Sequence, residues 1–264
     1  MYSNHDHTFA VCAYGDSPYL EECLRSLKSQ SIHTHILIST TTPSSHIENL
    51  ASEYNVPLYI NNGEPGIAHD WNNAIEHCET PLVTIAHQDD VYLSRYVETM
   101  LTMVNEEERP LIFFSDYGEL RGGLPCDDNR LLAVKRWLLK QLEDPHHRSR
   151  GKTRRRALCW GSAICCPSVT YCLPNLPSPV FLDDMKCDLD WQAWERFSKL
   201  DGAFVYAPEI LMRHRIHEGS ETTLLIRDDT RTKEDLEMLK KFWPTPVAHL
   251  INHYYSGSQS SNRL

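Results

Sequence analysis

Short apolar segments alternate with amphipathic ones through the first half of the chain, and this alternation limits the fold more than any other feature. The apolar segments are residues 9–13, 36–38, 58–60, 82–86 and 111–114. The segments between them carry apolar residues at helical spacing, as in Leu20, Leu24 and Leu27. Strands joined by helices of about ten or more residues pair in parallel through crossovers. The sequence therefore predicts an α/β fold, a mostly parallel sheet with helices on both faces.

Turn segments follow four of the predicted strands. In open parallel sheets, ligands bind beyond the carboxyl ends of the strands. This rule places Tyr14 and the segments 40–42, 63–66 and 87–90 on one rim of the sheet. We therefore expect a ligand site at this rim.

The second half of the chain has a looser pattern. Residues 131–142 and 191–200 are predicted helices, and residues 204–206 and 210–216 are predicted strands. Residues 144–156 are predicted to form an exposed basic loop, and residues 157–182 short strands with proline-rich turns. A last helix is expected at 236–242, as a short helical tail.

The composition is that of an ordinary globular protein, with 264 residues, 41% hydrophobic and 23% charged. Such a chain can form one large domain, or one domain with a small appendage. No apolar run reaches the roughly 18 residues of a membrane span, and the N-terminus lacks the pattern of a signal peptide. Nine cysteines without a CxxC pair are expected to be reduced thiols. A cytoplasmic location is therefore expected.

The net charge of −10 argues against a nucleic-acid partner, but it hides one basic segment. Residues 135–156 contain nine Lys or Arg and only two acidic residues. This segment is either a solvated loop or a surface for phosphate groups. In the second case it would contact an anionic membrane peripherally, at its inner face, or the phosphates of a substrate.

Two adjacent carboxylates, Asp89 and Asp90, follow the predicted strand 82–86. Such a pair often does no more than cap a helix. Its place on the predicted ligand rim favours a second interpretation, because carboxylate oxygens bind Mg²⁺ or Mn²⁺ that is shared with substrate phosphates.

The segment CDLDWQAWERF contains a further acidic group, Asp188, Asp190 and Glu195. In one interpretation an aspartate caps a helix whose Trp191 and Trp194 are core residues. In the other, a carboxylate at the helix start acts as a general base.

The segment MRHRIH places Arg213, Arg215 and His217 on one face of a predicted strand. The arginines could bind phosphate, and the histidine could bind a metal ion. A purely structural histidine is the other interpretation.

Taken together, these motifs resemble the family-2 glycosyltransferases, which have the Rossmann-like GT-A fold, over about residues 8–223. AVCAYGDSPYLEECLRSLKSQS is similar to the family's opening strand, loop and helix. NNGEPGIAHDWNNAIEHCETPLVTIAHQDDVYLS resembles the segment leading into its Asp-x-Asp motif, with Asn72 on a common asparagine. Asp190 falls on the family's catalytic base, and RHRIHEGSETT resembles its closing segment.

Three departures from the family pattern concern acidic positions. His87 replaces the first Asp of Asp-x-Asp, and Leu189 replaces the Glu before the base. The segment 39–42, Ser-Thr-Thr-Thr, replaces an acidic turn. The resemblance then implies that the metal rests mainly on Asp89, with His217 and His87 as further ligands.

The resemblance implies a metal-dependent, inverting transfer of a sugar from a nucleotide diphosphate sugar to a hydroxyl acceptor, with Mn²⁺ or Mg²⁺. Cell-surface polysaccharide or glycolipid synthesis is the expected setting, and the acceptor would be a saccharide or a lipid-linked intermediate. Asp190 would be the catalytic base. The residues expected at the donor are Ala13, Tyr14, Ser39, Thr40, Asn72, Gln88, Arg213 and Arg215, and those expected at the acceptor are Trp160, Gly161 and Ser162. Trp160 is alternatively a core residue.

The expected domain spans residues 1–223, with a donor half at about 1–116 and an acceptor half at about 117–223. Residues 224–264 are expected to form a C-terminal helical extension. Two other functions remain open. The first is a nucleotide-sugar-binding domain that has lost catalysis, and the second is a metal-dependent nucleotidyltransferase or phosphohydrolase.

Overall fold

A computed structural model describes residues 1–217 and 230–259. The described residues form one sheet whose strands are β1 (His7–Cys12), β2 (His35–Thr40), β3 (Leu58–Ile60), β4 (Leu82–His87), β5 (Val91–Tyr92), β6 (Pro110–Arg121), β7 (Leu124–Cys126), β8 (Val169–Cys172) and β9 (Ala203–Ile216). Their order is β3-β2-β1-β4-β8-β6-β9-β5, and β7 pairs with β6.

The first four strands pair in parallel, and so do β6 and β9. The short β8 joins the two groups by pairing antiparallel with β4 and with β6. The edge strand β5 is antiparallel to β9. The predicted α/β, Rossmann-like GT-A fold with a mostly parallel sheet is therefore confirmed.

The helices are α1 (Leu20–Lys28), α2 (Ser45–Glu53), α3 (Ile67–Glu76), α4 (Tyr96–Val104), α5 (Arg130–Leu139), α6 (Pro145–Arg148), α7 (Gly151–Leu158), α8 (Leu189–Phe197), α9 (Thr230–Lys240) and α10 (Thr245–Gln259). Local sequence sets several starts. The side chain of Ser44 accepts the amide of Ile47 at α2, and that of Asn129 accepts the amide of Leu132 at α5.

Buried side chains fill two layers, one on each face of the sheet. The first layer includes Leu24 of α1 and Tyr96 of α4. The second includes Trp191 and Trp194 of α8 and Met238 of α9. The predicted C-terminal helical tail is present, but it contains two helices, α9 and α10, where the sequence indicated one at 236–242. The helix α9 belongs to the same packed layer as α8.

The predicted exposed basic loop at 144–156 is wrong, because this segment forms α6 and α7. Arg148 and Arg154 are buried there. The guanidinium of Arg148 donates to the carbonyl of Leu142, and that of Arg154 donates to the carbonyls of Gly202 and Leu200. Each arginine offers five N–H donors, which can satisfy buried carbonyls.

The two strands predicted at 204–206 and 210–216 are one continuous strand, β9. Its register shifts where Ala207 and Ile210 pair with consecutive residues of β6. Pro208 and Glu209 therefore form a bulge within the strand, which the sequence pattern read as a break. The strand carries its last residues to the rim formed by β4.

Candidate active site

The carboxyl ends of β1, β2 and β4 meet because Cys12 pairs with both Ser39 and His87. Hydrogen bonds join the loop that follows β1 to the loop that follows β4. The side-chain amide of Gln88 donates to the carbonyl of Tyr14 at 3.0 Å and accepts its amide at 2.9 Å. Gln88 therefore holds the Tyr14 loop in place, and the Tyr14 side chain stays 61% exposed on the rim.

The residues that are predicted to lie near the nucleoside form hydrogen bonds within the protein. The carbonyl of Ser39 accepts the amide of Ala13 at 3.0 Å, and its hydroxyl accepts the side chain of Asn61 at 2.7 Å. The hydroxyl of Thr40 accepts the amide of Thr42 at 3.0 Å. These groups form a rigid wall of the rim, with their hydroxyls already engaged.

Three side chains at the end of β4 form a compact cluster. His87, Asp89 and Asp90 each offer one metal-ligating atom, and these atoms lie within 4.8 Å of one another. Asp90 is completely buried. Its Oδ1 accepts the amide of Arg215 and the Nδ1 of His214, both at 2.9 Å.

The remaining atoms of this cluster fit a divalent cation. Among the residues that the structure describes, Asp90 Oδ2 and His87 Nε2 are buried without a hydrogen-bond partner. Asp90 Oδ2 lies 3.9 Å from His87 Nδ1. A buried anionic oxygen without a donor is unfavourable, and a cation would compensate it. Carboxylate oxygens with one imidazole suit Mn²⁺, and oxygen ligands suit Mg²⁺.

Asp89 is surrounded by basic groups. Its Oδ2 accepts a hydrogen bond from His217 Nε2 at 2.8 Å, and its carbonyl accepts the Nε of Arg215 at 2.8 Å. Burial opposes ionisation, but the bond from His217 and the charge of His214 hold the pKa of Asp89 below its ordinary value. Asp89 is therefore a carboxylate at neutral pH.

His87 and His214, which both lie next to Asp90, differ in charge. Burial lowers the pKa of His87 despite the nearby Asp90 and Asp89, so its ring is the neutral form that binds metals. Burial also acts on His214, but the charge and hydrogen bond of Asp90 raise the pKa of His214 to about 9. Sequence reasoning missed His214, because it lies between the two arginines that drew attention.

Both predicted phosphate-binding arginines have carboxylate partners. Arg213 forms two hydrogen bonds to Asp127, at 3.0 and 2.7 Å. Arg215 pairs with Glu22 at 2.5 Å and lies over the ring of Tyr19. Arg215 thus belongs to the cluster around Asp89, whereas Arg213 is directed toward the segment before α5.

Asn72, which is predicted at the donor, holds a loop. Its side chain donates to the carbonyl of Phe181 at 2.8 Å and accepts the amide of Phe181 at 3.1 Å. The neighbouring Trp71 stacks on His87, with ring centroids 5.2 Å apart. The helix α3 therefore covers one side of the acidic cluster.

Asp190 lies in the first turn of α8 and is half-buried. Its Oδ1 accepts the amide of Trp191 at 2.6 Å. Burial raises the pKa of Asp190, and the Trp191 amide and the charges of Arg231 and Lys135 oppose this only in part. Trp191 and Trp194 are fully buried, as the core interpretation of that segment predicts.

Lys135 acts electrostatically on both Asp190 and His214. Its Nζ donates to the hydroxyl of Tyr117 at 2.8 Å. Its charge lowers the pKa of Asp190 and opposes the raised pKa of His214. Sequence reasoning counted Lys135 only as part of the basic segment, because nothing local distinguished it from its neighbours.

The predicted acceptor segment follows α7. Trp160 is 45% exposed, and its ring contacts Trp243, with centroids 4.9 Å apart. Gly161 has φ +144, which disfavours any side chain at that position. The hydroxyl of Ser162 donates to the carbonyl of Ile164 at 3.4 Å. The indole of Trp191 donates to the end of α7, which places this segment beside α8.

Comparison with protein families decides the classification. The family described as Glycosyl transferase family 2 matches residues 8–171, more than half of the chain. The chain belongs to glycosyl transferase family 2. No curated protein matches the sequence significantly. None of the helices that the structure describes is long and apolar enough to span a bilayer.

Solved glycosyltransferase structures share this fold. The mannosyltransferase PcManGT from Pyrobaculum calidifontis, in complex with GDP-Man and Mn²⁺, has a TM-score of 0.65 and 13% identity, covering 97% of this chain and 70% of that chain. S. aureus TarS 1-349 has a TM-score of 0.62 and 11% identity, covering 94% and 69%. Glucosyl-3-phosphoglycerate synthase from Mycobacterium tuberculosis, with Mn²⁺ and UDP-glucose, has a TM-score of 0.58 and 14% identity, covering 89% and 79%.

Proposed function

We propose that this glycosyltransferase moves a sugar from a nucleotide diphosphate sugar to a hydroxyl acceptor, with inversion and with a divalent metal. The compact cluster of His87, Asp89 and the buried Asp90 at the end of β4 is the observation that carries the proposal. Asp90 Oδ2, without a hydrogen-bond partner among the described residues, gives this cluster an anionic oxygen that no donor engages. A diphosphate by itself would be repelled there, so a cation must accompany it.

Asp89, Asp90 and His87 would hold Mn²⁺ or Mg²⁺, and a shift of His217 away from Asp89 would add a fourth ligand. When bound, the metal neutralises charge on the diphosphate as it leaves. Arg215, anchored on the carbonyl of Asp89, lies beside this cluster and keeps guanidinium N–H groups for a phosphate. We expect Arg213 to contribute charge rather than direct bonds, because Asp127 engages it.

The Tyr14 loop and the wall formed by Ser39 and Thr40 would receive the nucleoside. The exposed ring of Tyr14 is suited to stack on a base. Ala13 and Gln88 keep the loop and the wall in register. In this proposal, Asn72 contributes by fixing the loop at Phe181 rather than by touching the donor.

Asp190 would act as the catalytic base. The acceptor oxygen forms a bond to the anomeric carbon while the bond from that carbon to the diphosphate oxygen breaks. The acceptor proton passes to the Asp190 carboxylate, whose raised pKa makes it a better proton acceptor than an ordinary aspartate. Attack from the face opposite the leaving group inverts the anomeric centre in one displacement.

The acceptor would lie against the exposed ring of Trp160, next to Gly161 and Ser162. A saccharide or a lipid-linked intermediate suits this surface, because aromatic rings pack against sugar faces. Synthesis of cell-surface polysaccharide or glycolipid is the proposed setting. The exposed basic side chains available for a peripheral membrane contact are those of Lys140, Arg150, Lys152 and Arg156.

Product analysis tests this function. The purified chain would be incubated with UDP-GlcNAc, UDP-glucose or GDP-mannose, with Mn²⁺ or EDTA, and the nucleotide released would be identified. Release of the intact nucleoside diphosphate, only with metal, is the expected result. Release of a nucleoside monophosphate or of inorganic phosphate would instead support a nucleotidyltransferase or a phosphohydrolase. Binding of a donor without any release would support a domain that has lost catalysis.

A further inference from the structure

The carboxylate of Glu234, on α9, accepts three consecutive backbone amides. The amide of Lys186 donates to Oε1 at 2.9 Å, and the amides of Cys187 and Asp188 donate to Oε2 at 2.7 and 3.1 Å. Hydrogen bonds to an ionised acceptor are roughly twice as strong as neutral ones. Consecutive amides that converge on one anion fix the backbone that carries them.

The segment 186–188 leads directly into α8, the helix of Asp190. Asp188 occupies the position before the helix, and its own side chain forms no capping bond there. Its carbonyl accepts the amide of Gln192 at 2.8 Å and so begins the helical ladder. Glu234 therefore fixes the backbone that enters the helix, and its bond to the Asp188 amide matches the one that the N3 side chain makes in a capping box. The orientation of the first turn, and hence of Asp190, depends on it.

Glu234 is itself held rigidly. Met238 and Leu239, on the same helix, are fully buried in the layer that contains Trp191. Asp235 is also buried, and burial together with its charge raises the pKa of Asp188. The helix cannot withdraw from the 186–188 segment without opening this packed layer.

We propose that Glu234 is a positioning residue for the Asp190 base. Its carboxylate fixes segment 186–188 and so sets the direction of the Asp190 side chain toward the acceptor. This inference rests on the proposed function of Asp190. The family match ends at residue 171, so this contact comes from a part of the chain beyond it.

The variant E234Q removes part of this contact with little change of shape. An amide has one oxygen, so either the Lys186 amide or the pair from Cys187 and Asp188 would face an NH₂ group. E237Q is the matched control, because Glu237 lies on the same helix and, within the described part of the chain, its carboxylate accepts a hydrogen bond only from Lys240, at 2.7 Å. If E234Q does not fold, the same measurements would be made on E234D, which keeps the charge on a shorter side chain.

Hydrogen exchange followed by mass spectrometry tests the clamp without requiring activity. We expect exchange in a peptide covering 183–192 to be at least about tenfold faster in E234Q than in wild type. Peptides from β1 and β4 should be unchanged, and E237Q should match wild type throughout. Equal protection of 183–192 in E234Q and wild type would overturn the inference.

Kinetics then test the positioning role. With the donor from which wild type releases nucleoside diphosphate, we expect E234Q to lower kcat roughly tenfold or more while leaving the donor KM unchanged. A merely stabilising residue would lower the melting temperature and leave kcat of the folded protein unchanged, and that outcome would overturn the inference. If wild type releases no nucleoside diphosphate from any donor, the proposed function fails, and the exchange measurement still decides the clamp.

Discussion

This glycosyltransferase has two pairs of aspartates, Asp89 with Asp90 and Asp188 with Asp190, that lie in different electrostatic surroundings. Asp89 and Asp90 lie among His214, His217 and Arg215, and the pKa of Asp89 falls below its ordinary value despite its burial. At the start of α8, Asp188 is buried and Asp190 is half-buried. There burial prevails, and the pKa of each is raised.

The comparison indicates that basic neighbours, rather than the degree of burial alone, decide whether such a carboxylate stays ionised or binds a proton more readily. Asp89 stays ionised, and its pair with Asp90 is suited to hold a cation. The second pair binds a proton more readily and is suited to accept one. The proposed function needs both, at neighbouring places on one rim.

The largest expected effect concerns the proton-accepting group. Asp190→Asn removes the base without changing the shape of the side chain, so we expect kcat to fall about 10²- to 10⁴-fold. Nucleotide binding should remain, because the metal-binding group is untouched. Release of nucleoside diphosphate and binding by calorimetry would measure the two effects. Asp201→Asn, on an exposed side chain, is the control. Full turnover in Asp190→Asn would contradict the assigned role.

The second prediction concerns stability of the metal-free protein. The folded pKa of His214 is about 9 against an ordinary value of 6.5, so its ion pair with Asp90 stabilises the fold fully below pH 6.5. This contribution, about 3 kcal/mol at most, is lost as the pH rises toward 9. Melting curves in EDTA would measure it.

His214→Gln should remove this pH-dependent loss, and His5→Gln, on an exposed histidine, should keep it. If His214→Gln had the same pH profile as wild type, the ion pair between His214 and Asp90 would not be the source of the pH dependence.

The third prediction concerns the cation. Asp89→Asn removes one charged oxygen ligand and leaves the bond partner His217 in place. We expect Mn²⁺ affinity to fall by at least about 10- to 100-fold, because losing even an outer-shell contact of a metal site costs this much. Titration calorimetry with Mn²⁺ would measure it. Equal Mn²⁺ affinity in the variant and in wild type would place the metal elsewhere.

The smallest expected effect concerns Lys135, which acts on both groups. The base works as a carboxylate, so activity falls when the pH drops through the pKa of Asp190. Because burial raises that pKa, the fall should begin at a higher pH than for an ordinary aspartate. Lys135→Met removes a charge that lowers the pKa and should move the fall to still higher pH. A profile of kcat against pH would detect this, and a shift to lower pH would contradict it.

Local sequence patterns were enough for most of the first half of the fold. Apolar periodicity predicted β1 to β4 and the helices between them, since each element is specified by its own residues. The continuous β9 was missed because Pro208 resembles a strand end, and its pairing with β6 is a long-range contact. The helices α6 and α7 were missed because their arginines are buried by partners far along the chain.

The candidate site was predictable only where a motif is local. His87, Asp89 and Asp90 are near neighbours in the sequence, and so their cluster could be anticipated. The bond from His214 to Asp90 joins residues 124 positions apart, and no local signal marks it. The Glu234 contact likewise joins α9 to a segment more than 40 residues earlier.

A thermal-shift measurement with UDP and GDP, each with and without Mn²⁺, tests the central claim that the Asp89 and Asp90 group binds a metal with a nucleoside diphosphate. At a ligand concentration a hundred times Kd, a ligand that binds only the folded state adds about 2.7 kcal/mol of stability. We predict a stabilisation by one nucleotide that needs Mn²⁺, is lost in Asp89→Asn and is kept in Asp190→Asn. Equal stabilisation without metal, or in Asp89→Asn, would contradict the claim.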